Sequence, residues 1–190
     1  MTLVLAWRDP FCLISDDAET DPETGALCSI GPKLFRVSET LACGHSGIAA
    51  VANEFRQRMA PVADADNWER AEVLLRQAVS DTYALTGLFM RIAMAGTVGG
   101  VAGISEFPES EDDVVALPGT ARINPYSALG SGGPVALIAR AIASRLKPKP
   151  EGEDLLRLMT EAAVDVSRGC GRPIWRLDLP TGDDPYIWIE

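Results

Sequence analysis

Thr2 is the residue whose chemistry depends most on its place in the chain. A threonine hydroxyl is a weak nucleophile and needs a base. If Met1 is removed, the new α-amine, with a reference pKa of about 7.7–8.0, can act as that base. A nearby ammonium would stabilise the threonine alkoxide, and a carboxylate would hold that ammonium in place. Lys33 and Asp17, each at the end of an expected strand, are the candidates for those two roles. With Met1 attached, Thr2 carries an amide nitrogen and this chemistry cannot run. The scheme needs no histidine, which suits a chain whose sole histidine is His45.

A second candidate is the loop Ala128-Leu-Gly-Ser-Gly-Gly-Pro134, set before an expected helix. Backbone N–H groups at a helix N-terminus can hold a phosphate or a developing oxyanion. No Gly-Lys-Ser/Thr sequence follows, so the loop reads equally as a tight turn into the helix. The four cysteines, Cys12, Cys28, Cys43 and Cys170, form no Cys-x-x-Cys pair. With one histidine they make a zinc site an improbable reading, and no cofactor or metal is expected. His45 reads as a solvated or hydrogen-bonded turn residue.

These residues need elements to hold them. Two apolar runs around Asp9-Pro10 predict a β-hairpin ending near Asp17. Residues 18–32 read as a loop, and 33–37 and 40–43 as short strands. Gly44-His45-Ser46-Gly47 then turns the chain into a helix on which Ile48, Val51, Ala52, Phe55 and Met59 recur until Pro61. A second helix, with a capping signal at Asp66, places Ala71, Leu75, Val79 and Tyr83 on one face and ends at Gly87. Residues 89–104 read as two strands joined near Gly99-Gly100. An acidic loop (109–113) and a strand (114–117) follow. The next helix, starting at Pro134, is expected to bury Val135, Ile138, Ile142 and Leu146. The last, about 154–168, is expected to bury Leu155, Leu158, Ala162 and Val166, with Gly169 as its C-cap. Strands near 173–179 and 186–190 close the chain. The order of strands, two helices, strands, two helices, strands predicts one α+β domain over residues 1–190. Two sheets form its core, with a helical layer outside each.

Several of these segments resemble proteasome β-subunits and the related bacterial ring protease subunit that works with an unfoldase ATPase. Thr2-Leu-Val-Leu-Ala-Trp-Arg8 is similar to the family's N-terminal strand, and Leu-Ile-Ser-Asp-Asp17 to the strand carrying its aspartate. Pro32-Lys33-Leu-Phe-Arg resembles the lysine strand, Ala42-Cys-Gly-His-Ser-Gly47 the oxyanion turn, and Ser127-Ala-Leu-Gly-Ser131-Gly-Gly the Ala-Ile-Gly-Ser-Gly element. The motifs fall in family order, over about residues 2–60 and 125–170. The resemblance implies a four-layer αββα sandwich, the N-terminal nucleophile hydrolase fold. It implies peptide-bond hydrolysis with Thr2 as nucleophile and base, Lys33 lowering the hydroxyl pKa and Asp17 orienting Lys33. Backbone N–H groups of Ser46 and Gly47 would form the oxyanion hole, and Ser131 would support proton transfer. It also implies a homo-oligomeric ring, hexameric or heptameric and stacked, with peptide or unfolded protein as substrate and an ATPase unfoldase as a further partner.

The chain departs from the family pattern in three places. Leu3 replaces the second threonine of the usual pair. A hairpin one residue shorter than usual is needed if Thr2 is the nucleophile; an ungapped alignment instead puts Met1 there. The segment Asp165-Val-Ser-Arg-Gly-Cys-Gly171 has Arg168 between its serine and glycine. The alternatives are therefore a catalytically silent scaffold of the same fold with Met1 retained, and an unrelated phosphate-binding α/β protein using Gly130–Gly133.

Composition narrows the field. The chain has 190 residues, 47% hydrophobic and 23% charged, as in a soluble globular protein. Its formal net charge of −10 disfavours nucleic acid and anionic membranes as partners. No apolar run reaches the roughly 18–20 residues that span a bilayer, and no signal peptide is expected, so a cytoplasmic protein is.

Overall fold

The computed structural model describes residues 2–8, 10–20, 27–29, 31–108, 126–180 and 183–190. The expected acidic loop at 109–113 and strand at 114–117 lie outside these residues. Two antiparallel sheets form the centre. The first is five-stranded, in the order β11-β10-β2-β1-β9, from Val4–Arg8 (β1), Phe11–Asp16 (β2), Tyr126–Leu129 (β9), Ile174–Asp178 (β10) and Tyr186–Ile189 (β11). The second runs β5-β6-β7-β8, from Leu34–Ser38, Leu41–Ser46, Arg91–Val98 and Val101–Phe107. A small hairpin of Ala18–Thr20 (β3) and Leu27–Ser29 (β4) occupies the stretch expected to be loop. Its alternating partners satisfy backbone groups that a loop would leave to water.

Helices cover both outer faces. Ala49–Gln57 (α1), Ala60–Ala63 (α2) and Trp68–Thr86 (α3) pack on the four-stranded sheet, burying Val51, Phe55, Leu75 and Val79 against Cys43, Ile92 and Met94. Gly133–Ala143 (α4) and Gly152–Val166 (α5) pack on the five-stranded sheet, over Leu3, Leu5, Cys12 and Ile14. Between the sheets lie Val4, Ala6, Leu13, Leu34, Ala42, Ala95 and Ile104. Strand alternation produces this division: along β1 and the residue before it, Leu3 and Leu5 face the helices while Val4 and Ala6 face the other sheet. The four-layer αββα order is that expected from the sequence.

Five local expectations are corrected. Gly44, His45 and Ser46 belong to β6, where they pair with Ala93, Ile92 and Arg91, rather than to a turn. Pro61 opens α2 instead of ending the helical run, because its missing N–H costs nothing in a first turn. Asn67, not Asp66, caps α3, accepting the Arg70 N–H at 2.8 Å. The helices on the five-stranded sheet are rotated from the expected faces. In α4, Gly133, Ala136 and Ala143 are buried, while Ile138 and Ile142, and Leu146 just past the helix end, are 60%, 55% and 49% exposed. In α5, Leu156, Met159, Thr160 and Ala163 are buried, and Leu158 and Val166 face out. The small residues of α4 let it approach the sheet closely, and this outweighs the apolar stripe. The C-cap of α5 is Ser167, with Gly169 two residues beyond at φ +87°.

Candidate active site

β1 and β2 pair from Val4↔Ser15 to Arg8↔Phe11, so two residues bridge them. The short turn fixes which carboxylate lies beside the start of β1. The Asp16 N–H donates to the Leu3 carbonyl at 3.2 Å, and the Leu3 N–H donates to Asp16 Oδ1 at 2.9 Å. Asp16 and Asp17 point to opposite faces because side chains alternate along a strand. This decides the partner of Lys33. Its ammonium donates to Asp16 Oδ1 at 2.6 Å and to the Ala18 carbonyl. Asp17 was expected in that role. Its Oδ1 instead accepts the indole N–H of Trp175 at 3.1 Å, on β10. The carboxylate that holds Lys33 is therefore Asp16.

Asp16 and Lys33 are 0% and 1% exposed. A buried charge pair is tolerated only when its remaining hydrogen-bonding capacity is met. Here Asp16 Oδ1 takes Lys33, Leu3 N–H and, at 3.3 Å, the Thr2 hydroxyl, while Oδ2 takes the Gly171 N–H at 3.2 Å. Lys33 is also fixed through its backbone: its N–H donates to Ser15 Oγ at 3.2 Å, and its carbonyl accepts the His45 N–H at 3.0 Å. The pair thus joins both sheets.

Thr2 is held through both its hydroxyl and its nitrogen. Its hydroxyl is on Asp16, and its nitrogen donates to Ser131 Oγ at 3.3 Å. Ser131 Oγ also lies 3.9 Å from Cys170 Sγ, a buried thiol whose pKa is pushed up by burial and then by the Asp16 charge. The glycine loop closes this arrangement. Gly132 N–H donates to the Thr2 carbonyl at 3.1 Å, and Gly133 N–H to the Gly130 carbonyl. Gly130 has φ +78°, and a Cβ there would stand 2.1 Å from the Thr2 carbonyl oxygen, so the chain needs glycine for space as well as for conformation. Two of the loop's amides thus hold the chain's own carbonyls.

Ser46 and Gly47 sit at the end of β6, directly after His45, whose N–H is bound to the Lys33 carbonyl. Gly47 has φ +149°, and a Cβ would come 2.8 Å from Met90 Cβ. His45 is neither solvated nor in a turn. It is buried on β6, its Nδ1 has no partner among the described residues, and its pKa falls to about 3. Burial is the main cause, followed by Arg56 and Lys33, so the imidazole is neutral and cannot serve as a base near pH 7.

Of the expected residues, the structure brings together Thr2, Lys33 and Ser131 and sets Asp17 apart. Sequence reasoning missed Asp16, Ser15, Cys170 and Gly171. The signal for Asp16 was the length of the Asp9-Pro10 turn, which determines the hairpin register. Gly171 and Cys170 come from the segment after α5, where the family pattern appeared broken.

Comparisons with known proteins agree with this architecture. No family model and no curated protein sequence matches the chain. Solved structures do. The eukaryotic HslV from Trypanosoma brucei superposes with a TM-score of 0.64 at 17% identity, covering 93% of this chain and 99% of that one. Thiobacillus denitrificans BPH in complex with epoxomicin gives 0.64 at 22% identity, covering 94% and 99%, and a second structure of Thiobacillus denitrificans BPH gives 0.63 at 21%, covering 96% and 100%. Nearly the whole of each partner is matched, so the likeness is to the entire fold. The chain has the αββα fold of the proteasome β-subunit-like, N-terminal nucleophile hydrolases.

Proposed function

We propose that this chain is a threonine-type peptidase subunit whose nucleophile is Thr2, freed by removal of Met1. The observation that carries the reading is the double anchoring of Thr2: nitrogen on Ser131, hydroxyl on the carboxylate that also holds Lys33. The freed α-amine takes the hydroxyl proton as the oxygen attacks a peptide carbonyl. Ser46 and Gly47 N–H groups receive the developing oxyanion. The amine then passes the proton to the leaving nitrogen, giving an ester on Thr2 and a released amine. Water, deprotonated by the same amine, hydrolyses the ester and regenerates Thr2. Lys33 favours the alkoxide by its charge, and Asp16, in the place first expected for Asp17, orients Lys33. The substrates are peptides or unfolded chains, delivered in the cytoplasm by an ATPase unfoldase.

The working form is a homo-oligomeric ring, hexameric or heptameric and stacked. Ile138 and Ile142 on the outer face of α4, and Leu146 just past its end, recur at four-residue spacing and are about half exposed or more. A stripe of this kind on a helix marks a contact surface, and a second copy of the chain supplies an apolar face of the same chemistry. Among the described residues no helix is long and apolar enough to cross a membrane.

A second reading is a silent scaffold with Met1 retained. It is favoured by the burial of Thr2, which is 3% exposed. Intact mass and peptide hydrolysis, measured on wild type and Thr2→Ala, separate the two. The peptidase reading expects a chain starting at Thr2 and loss of hydrolysis in Thr2→Ala with the oligomer intact. Hydrolysis that survives Thr2→Ala would refute the mechanism.

A further inference from the structure

A cavity of about 610 Å³ lies at the end of β1 opposite Thr2, roughly 20 Å along the extended strand. Its walls carry three cations, Arg8, Arg140 and Lys149, and one carboxylate, Glu151. In a chain of net charge −10 this is a local reversal of sign. Lys149 and Glu151 approach at 3.7 Å, both well exposed, and such a pair cancels little field. Arg8 and Arg140 form no ion pair within the described residues.

The floor is apolar and aromatic. Trp7 and Tyr126, neighbours across β1 and β9, have ring centroids 5.7 Å apart. The Arg140 guanidinium lies 4.4 Å from the Tyr126 centroid and 5.8 Å from that of Trp7. Stacking on a ring occupies the face of a guanidinium and leaves its in-plane N–H donors free. Arg140 is thus pre-organised for a planar two-oxygen acceptor, with Trp7 and Leu155 beside it for an apolar body. Ile138 and Ile142 lie on another face of α4 from Arg140, two residues from each along the helix, so self-association through them leaves the cavity open.

We infer that this cavity binds a small organic carboxylate carried on an aromatic or branched apolar body, at a site separate from the Thr2 cluster. The carboxylate takes the in-plane donors of Arg140, with Arg8 and Lys149 adding charge, and the apolar body covers Trp7 and Leu155. The inference does not depend on peptidase activity.

Calorimetric titration with 3-phenylpropionate tests it on the full chain. Saturable binding is expected below about 10 mM, with 3-phenylpropionamide and acetate each weaker by about tenfold. Arg140→Ala should weaken 3-phenylpropionate by about tenfold or more, and Arg140→Lys, which keeps charge but loses the planar fork, should weaken it by less. Thermal melts of both variants, matching wild type, establish that they are folded; should Arg140→Ala melt early, Arg8→Ala and Arg140→Lys carry the comparison. Absence of saturable binding, equal binding of the amide or of acetate, or binding unchanged in every folded variant would overturn the inference.

Discussion

At the residue scale, the arrangement turns on one carboxylate. Asp16 and Asp17 are adjacent, both buried, and chemically identical, yet only Asp16 is bound to Lys33 and Thr2. Under the proposed mechanism, Asp16→Asn should lower kcat for peptide hydrolysis on the order of 10²-fold or more with little change in KM, since the lost group would act on Thr2 and not on the substrate. Asp17→Asn should leave kcat within a few-fold of wild type, because an amide oxygen still accepts from Trp175. The reverse ranking would return the role to Asp17. Stability gives a second test at the same pair: Lys33→Ala leaves Asp16 buried without its cation, and urea unfolding should show a loss of about 3–5 kcal/mol. His45 sets a pH dependence. Its folded pKa of about 3 lies below the reference value of 6.5, so the unfolded chain binds the proton first as pH falls. Its contribution to stability is complete above about pH 6.5 and is lost toward pH 3, at up to about 1.4 kcal/mol per pH unit. Urea melts between pH 7 and pH 5 should show this slope in wild type and a shallower one in His45→Gln. Equal slopes would contradict the assignment.

At the scale of elements, the sequence was most informative where one local rule acted alone. The glycine pair at Gly99-Gly100 divided β7 from β8, and Gly87 ended α3 in a left-handed C-cap. It was less informative where two rules competed. The helix α4 carries an apolar stripe through Ile138 and Ile142, continued past its end by Leu146, and a small-residue stripe through Gly133, Ala136 and Ala143; periodicity favoured the first, and close packing on the sheet selected the second. The hairpin register was legible in principle, because a turn of two residues fixes every later pair, but the adjacent Asp16-Asp17 left either carboxylate available to a family pattern. The Ser131–Cys170 contact was not legible, since it joins segments 39 residues apart that only the fold brings together. The displaced stripe of α4 gives a prediction of its own. Ile138→Glu with Ile142→Glu should shift the protein to smaller species in sedimentation velocity while its circular dichroism stays native, as exposed positions tolerate charge. An unchanged sedimentation coefficient would remove α4 from the assembly interface.

At the scale of the whole molecule, the αββα layering explains how distant segments of sequence reach one site. Thr2 and Asp16 come from the five-stranded sheet, Lys33 from the start of the four-stranded sheet, Ser131 from the loop entering α4, and Gly171 from the segment leaving α5. The site therefore sits where both sheets and the outer helical layer meet, and the fold must be complete before Thr2 is held at both ends. The fold itself is shared with HslV and BPH over nearly their full lengths, at identities of 17–22%. At that distance chemistry rests on residues rather than on layers. The most direct test of the central claim is therefore an intact mass and a peptide-hydrolysis rate taken from the same preparation of the native assembly, after acid quench to retain any ester on the enzyme. The account predicts a chain beginning at Thr2, measurable turnover, and an acyl adduct that maps to Thr2. Turnover by a chain that keeps Met1, or a chain freed of Met1 that neither turns over nor acquires the adduct, would contradict it.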